Sequence, residues 1–115
     1  METTREATTA QKKGAAELLI LAQLEQQPSH GYQIAQTIDR RSEGVVNFNV
    51  ASLYPILYDL EARGLITGQW VEKPSQRRRR YYKITAKGQR SLANERRNWE
   101  RFMKAMEQAA GLEHA

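Results

Sequence analysis

The stretch Lys73–Arg90, KPSQRRRRYYKITAKGQR, holds eight basic residues and no acidic one. Because the formal net charge of the whole chain is only +5, its basic character is concentrated here. Apolar and polar residues alternate on both sides of the arginine run, in Leu65–Val71 and in Tyr81–Ile84. This arrangement predicts a β-hairpin with a positively charged tip around Pro74-Ser75-Gln76. A local basic patch of this kind attracts a polyanion such as DNA.

Two helices are predicted at the start of the chain. Apolar residues recur at helical spacing from about Lys12 to Gln27, and Pro28 ends this first helix. Ser29 is the expected N-cap of a second helix that runs to about Arg41. Its expected inner face consists of Tyr32, Ile34, Ala35 and Ile38.

A third helix begins at Asn49 or Ser52, since either side chain can cap free backbone N–H groups. With Ser52 as the cap, Pro55 falls in the first turn, where its missing N–H costs little. With Asn49 as the cap, a tightened or distorted first turn is expected. The preceding Val45–Phe48 either adds an edge strand or packs into the core. Gly64 ends the helix, and its inward stripe is Leu53, Ile56, Leu57 and Leu60.

A last long helix is predicted from about Ala86 to Ala110, with Thr85 as its cap. Its apolar residues fit one stripe: Leu92, Trp99, Phe102, Met103, Met106 and Ala110. A solitary helix gains little by presenting such a stripe to water. The helix must therefore pack on the domain or on a second copy of the chain.

The predicted fold is mainly α-helical with a two-stranded β wing. A winged helix-turn-helix domain is expected over residues 11–85, followed by a dimerisation helix over residues 86–110. Residues 1–10 and 111–115 are expected to be flexible tails. In a winged helix-turn-helix, the third helix enters the major groove of DNA.

Side chains near the start of the third helix that leave its inward stripe are the predicted base and phosphate contacts: Asn49, Ala51, Ser52, Tyr54 and Tyr58. A purely structural role, as a helix cap for Ser52 or as core-rim packing for the two tyrosines, is the alternative.

At the wing, four consecutive arginines are the predicted phosphate contacts: Arg77, Arg78, Arg79 and Arg80. A solvated charged turn is the alternative. Lys87 and Gln33 are further, weaker phosphate candidates, and Trp70 is expected to pack beneath the wing.

Composition argues against several other functions. The sequence lacks an apolar run long enough for a membrane span, which needs about 18 residues, and the N-terminus lacks the apolar core of a secretory signal. The absence of cysteine excludes disulfides and fits a cytoplasmic protein. No metal or cofactor is expected, because His30 and His114 lie far apart without ligating neighbours. No enzyme is expected either, since Asp59 and Glu61 do not share a helix face.

Four segments together resemble the PadR family of bacterial transcriptional regulators. They are the apolar first helix, His30-Gly31-Tyr32, Leu53–Ile66 (LYPILYDLEARGLI) and Arg80–Gly88 (RYYKITAKG). The resemblance covers about residues 14–100 and implies a ligand- or stress-responsive repressor that binds an inverted-repeat operator as a homodimer. The short length and single C-terminal helix resemble a smaller subfamily whose members dimerise through that helix.

Trp99 extends this resemblance to multidrug-sensing members of the family. In those proteins a Trp at this distance from the helix start forms an aromatic slot at the dimer centre. The resemblance therefore implies a planar aromatic or phenolic effector near Trp99, in a region shared with Leu92, Phe102, Met103 and Met106. The three basic neighbours of Trp99, which are Arg96, Arg97 and Arg101, favour an anionic ligand instead. A plain dimer core without a ligand is the alternative.

Two other classes of function stay open on sequence alone. A winged-helix adaptor would use the basic wing to bind an acidic partner protein, and a small RNA binder would prefer single-stranded or hairpin RNA. Salt-dependent binding to random duplex DNA distinguishes the first expectation from the adaptor.

Overall fold

The computed structural model describes residues 2–74 and 77–112, with side chains described from residue 14 onward. Serine 75 and glutamine 76 of the predicted tip, and residues 113–115 of the predicted C-terminal tail, lie outside the described residues. The described residues form four helices and three strands, in the order α1 (Glu2–Gln26), β1 (Ser29–His30), α2 (Gly31–Arg41), α3 (Val50–Ala62), β2 (Ile66–Val71), β3 (Arg79–Ile84) and α4 (Ala86–Ala110).

One apolar core joins the first three helices to the sheet and to the start of α4. Its wholly buried members include Ile20, Ile34, Leu53, Tyr82 and Leu92. From residue 14 to its end, helix α1 is covered on much of its surface, as its broad apolar stripe predicts. Val46 and Phe48 pack against the core without forming a strand, which decides between the two expectations for that segment.

The sheet is antiparallel and has three strands in the order β1-β3-β2, where a two-stranded wing was predicted. The wing itself pairs Ile66 with Ile84 at its base and Val71 with Arg79 toward its tip. The additional strand β1 pairs with Tyr81 and Tyr82 of β3. Two residues are too few to show an alternating pattern, so the sequence carries no signal for β1.

The caps of α2 and α3 decide two questions that the sequence leaves open. His30, rather than the predicted Ser29, caps α2, because Ser29 belongs to β1. Asn49 caps α3 by accepting a hydrogen bond from Ala51 N. The expected tightening of the first turn is present, since Ser52 N donates to Asn49 O at 2.9 Å, a spacing of three residues.

Helix α1 begins at Glu2, whereas a flexible tail was predicted up to residue 10. Residues 2–13 contain neither proline nor glycine, so nothing in their covalent structure stops the helix from continuing. Helix α4 begins and ends where predicted, with Thr85 as its cap. Gly88 lets α4 approach the wing base, because a Cβ at this position would lie 2.0 Å from Leu65 O.

Within the described part of the chain, no helix combines the length and the apolar character that a bilayer crossing requires.

Candidate nucleic-acid interface

The start of α3 presents most of its predicted contact residues to solvent. Asn49, Ala51 and Ser52 are exposed, as is Tyr58, while Tyr54 is half-buried against its neighbour Tyr58 at 6.0 Å between ring centroids. Asn49 uses its side-chain oxygen for the cap, which leaves its amide N–H groups available as donors. This exposed first turn has the position from which side chains of a recognition helix reach base edges.

The arginines of the wing divide into different roles. Arg77 is exposed. Arg78 stacks over the ring of Trp70 at 4.6 Å and lies 4.0 Å from a carboxylate oxygen of Glu72. Arg79 is exposed and brings Nη1 to 2.7 Å from His30 Nε2. The first three arginines therefore keep charge at the surface, where a phosphate can reach it.

Arg80 has a structural role instead. Its Nη2 donates to Glu61 Oε2 at 2.6 Å, and its guanidinium lies over the Trp70 ring at 5.5 Å. The same carboxylate oxygen accepts a hydrogen bond from Gly68 N at 3.1 Å. Gly68 is needed for this arrangement, because a Cβ there would come within 2.6 Å of the Arg80 side chain. Glu61 thus ties the end of α3 to both strands of the wing, so the expected pairing of Glu61 with a basic neighbour is confirmed.

Two predicted phosphate contacts, Arg80 and Lys87, make bonds within the chain, and two predicted packing positions are wrong. Arg80 is paired with Glu61, and its contact with phosphate stays a prediction. Lys87 lies at the base of the wing, where its Nζ donates to Arg63 O at 2.9 Å. Trp70 is 52% exposed rather than packed beneath the wing. Tyr32, assigned to the inner face of α2, is likewise exposed.

A cavity of about 420 Å³ separates α3 from the wing. It is lined by side chains of α3, the wing and the start of α2: His30, Tyr32, Tyr54, Tyr58, Trp70, Arg78, Arg79, Arg80 and Tyr82. Aromatic faces and guanidinium groups together suit a nucleic acid or another anion. Tyr32, Trp70 and His30 could not be predicted as members from the sequence, because strands and helices that are distant in sequence bring them together.

Two titratable groups of this cavity have shifted pKa values. Burial lowers the pKa of His30, and the positive charges of Arg79 and Lys73 lower it further. Burial raises the pKa of the Tyr82 hydroxyl, which makes no hydrogen bond among the described residues. Both groups are therefore uncharged at neutral pH.

Helix α4 contains a second surface of interest. The predicted apolar stripe of α4 does not form one continuous exposed surface. Leu92 lies wholly buried in the core of its own chain and is unavailable to a partner. Farther along, Trp99 is half-buried and meets Phe102 edge to face at 5.7 Å. Phe102, Met103 and Met106 are each about half exposed to solvent. An apolar patch of this kind marks an interaction surface.

The described residues offer no cluster of three His, Asp or Glu side chains that could hold a metal ion. Three packed helices, a β wing and an exposed start of α3 define a winged helix-turn-helix protein, a class that binds DNA.

Comparisons with known proteins agree with this class. The sequence model of the transcriptional regulator PadR-like family matches residues 20–94, and the chain belongs to that family. The resemblance read from the motifs is thereby confirmed. Membership also makes the chain a DNA-binding transcriptional regulator and not an enzyme.

Three solved structures illustrate the similarity. A transcriptional regulator from Clostridium thermocellum is 27% identical with a TM-score of 0.76, covering 83% of this chain and 89% of its own. A PadR-like transcription factor from Bacteroides fragilis is 26% identical with a TM-score of 0.74, and the match covers 90% of this chain and 98% of that protein. A protein from Streptococcus mutans is 31% identical with a TM-score of 0.72, and the match covers 90% of this chain and 93% of that protein.

Proposed function

We propose that the chain is a homodimeric, sequence-specific repressor that binds an inverted-repeat operator in the cytoplasm. The observation that carries the proposal is the shared cavity between α3 and the wing, since residues of both elements line it. Tyr54 and Tyr58 of α3 therefore share one cleft with the cationic wing. In this arrangement α3 reads base edges in the major groove while Arg77, Arg78 and Arg79 bind backbone phosphates.

Dimerisation is supported by the apolar surface on the second half of α4. Met103 and Met106 lie on one side of the helix with Phe102, and each is about half exposed. Burying a large apolar side chain stabilises an assembly by about 1.5–3 kcal/mol. A twofold dimer buries every such residue twice, so this patch favours self-association. Dimerisation through a single C-terminal helix is what the smaller subfamily of the resemblance implies.

A ligand response follows from the same surface. Trp99 and Phe102 already pack edge to face, and two copies of this pair would form an aromatic-lined slot. We propose that a planar aromatic or phenolic effector binds there. By favouring one dimer geometry, the effector changes the spacing of the two α3 helices and releases the operator. Of the three basic neighbours of Trp99, Arg96 is already paired with Glu25, which reduces the positive charge available to an anionic effector.

The role of the wing is tested with the double variant Arg78→Ala and Arg79→Ala. Removing two phosphate contacts should weaken binding to all duplexes alike and lower the salt slope by about two, since each contact contributes about 0.9. Fluorescence anisotropy with an operator-containing duplex and a scrambled duplex, over a range of salt concentrations, measures both effects.

The matched control removes two positive charges elsewhere. Arg90 and Arg97 lie on α4, and neither lines the α3 cavity. The double variant Arg90→Ala and Arg97→Ala should therefore change the salt slope far less. Equal slopes for the two double variants would show that net charge, rather than the wing, determines affinity. Binding of an acidic protein but of no duplex would instead favour the winged-helix adaptor.

A further inference from the structure

Each ring nitrogen of His30 lies close to an N–H donor, and a neutral imidazole can accept a hydrogen bond from only one of the two. Its Nδ1 lies 3.2 Å from Gln33 N, and its Nε2 lies 2.7 Å from Arg79 Nη1. Both neighbours are N–H donors, whereas a neutral imidazole has one nitrogen that accepts and one that donates. One of the two contacts therefore brings two donors together.

The helix determines which contact is the true hydrogen bond. Gln33 N–H is one of the free backbone donors in the first turn of α2, and the helix fixes its direction. In return, His30 N donates to Gln33 Oε1 at 3.1 Å, which completes a capping box. Arg79 lies at the surface, where its long side chain can turn. Hence Nδ1 accepts from Gln33, and the ring proton is on Nε2.

In this tautomer, His30 Nε2–H and the Arg79 guanidinium are two donors that converge without an acceptor. None of the ion pairs among the described residues involves Arg79. His30 is only 7% exposed, yet it lines the cavity between α3 and the wing. A second donor of that cavity, the buried Tyr82 hydroxyl, also lacks a partner among the described residues. The two converging donors of His30 and Arg79 therefore suit an acceptor, preferably an anionic one.

We propose that His30 Nε2–H and Arg79 together bind a non-bridging oxygen of a DNA backbone phosphate. A phosphate oxygen between them replaces the contact between two donors with two hydrogen bonds, of which the one from Arg79 is charge-assisted. The inference rests on the proposed DNA-binding surface and adds to it His30, the N-cap residue of α2. It also gives the cap of α2 a second task, because the same ring orients the helix with one nitrogen and binds DNA with the other.

The tautomer is measured first, by long-range ¹H–¹⁵N NMR of the full chain, with a His114→Asn variant assigning the two histidines. The expected result is a protonated Nε2 and an unprotonated Nδ1 in the free protein. Addition of duplex DNA should shift the Nε2 resonance, whereas the same concentration of inorganic phosphate should not. A proton on Nδ1, or an Nε2 resonance that DNA leaves unmoved, would overturn the proposal.

Affinity is measured next with His30→Asn, which keeps a side-chain acceptor for the α2 cap but lacks the Nε2 donor. We expect about fivefold weaker duplex binding, as for the loss of one hydrogen bond, with an unchanged salt slope because the lost donor is neutral. Arg79→Ala should instead lower the slope by about one.

Gln33→Ala is the matched control, since it removes the other half of the capping box and leaves Nε2 in place. The proposed surface does not use Gln33 as a phosphate contact, because its Oε1 accepts from His30 N. Gln33→Ala should therefore bind DNA like the wild type. Equal weakening in Gln33→Ala and His30→Asn would assign the effect to helix capping and refute the proposal. If the wild type binds duplex and His30→Asn matches it, only the His30 inference fails; if the wild type binds no duplex, the proposed function fails as well.

Discussion

The ion pair between Glu61 and Arg80 should stabilise the fold measurably, and Glu61→Gln tests this. The substitution keeps the size of the side chain and one acceptor oxygen but removes the charge that Arg80 Nη2 meets at 2.6 Å. A fully exposed pair contributes about 0–1 kcal/mol, and breaking a buried pair costs about 3–5 kcal/mol. The two side chains are 24% and 28% exposed, so we expect a loss of about 1–2 kcal/mol in the free energy of unfolding.

Urea denaturation followed by circular dichroism provides the assay. With a slope of about 2 kcal/mol per molar urea, the midpoint of Glu61→Gln should fall by about 0.5–1 M. Asp59→Asn is the control on the same helix, because Asp59 pairs with Arg63 at 3.0 Å in an exposed position. Its midpoint should move by less than half as much. Equal midpoint shifts for the two variants would refute the argument that Glu61 joins α3 to the wing.

Three further predictions concern the α4 surface and His30. Met106→Glu should convert the dimer to monomer in sedimentation equilibrium. Gln108→Glu, about 200° around the helix, should leave the dimer intact. If both variants remain dimeric, this surface is not the interface. Planar aromatic compounds should quench Trp99 fluorescence in a Trp70→Phe background, and Trp99 fluorescence that these compounds leave unchanged would exclude the slot. Because burial, Arg79 and Lys73 lower the pKa of His30, the unfolded chain takes up the proton first as the pH falls below about 6.5. Stability should therefore decrease from pH 7 toward pH 5, and His30→Asn should show a smaller decrease.

Local signals in the sequence were sufficient for the long elements of the fold. Thr85 and the stripe that follows it predict α4 correctly, because a cap and a helical period are both local features. Pro55 predicts a tightened first turn of α3 only if Asn49 is the cap, and the choice between Asn49 and Ser52 needed the structure. Strand β1 could not be predicted, because Ser29–His30 is too short for a pattern and its pairing partner is more than fifty residues away.

The separate roles of the wing arginines were beyond sequence reasoning. Four identical residues in a row carry no internal signal about which one is held and which ones are free. The difference arises from strand register, which places Trp70 directly opposite Arg80. It also depends on Gly68, which leaves room for the Arg80 side chain to reach Glu61. Likewise, Leu92 and Met106 share one stripe in the sequence, but only the fold shows that the body of the domain covers Leu92.

The most direct test of the account is a titration of a labelled duplex with the purified chain at several salt concentrations, with sedimentation measuring the stoichiometry. The account predicts binding by two protomers, with an affinity that decreases steeply as salt releases the wing from the phosphates. A chain that leaves every duplex unbound even at the lowest salt concentration would contradict it.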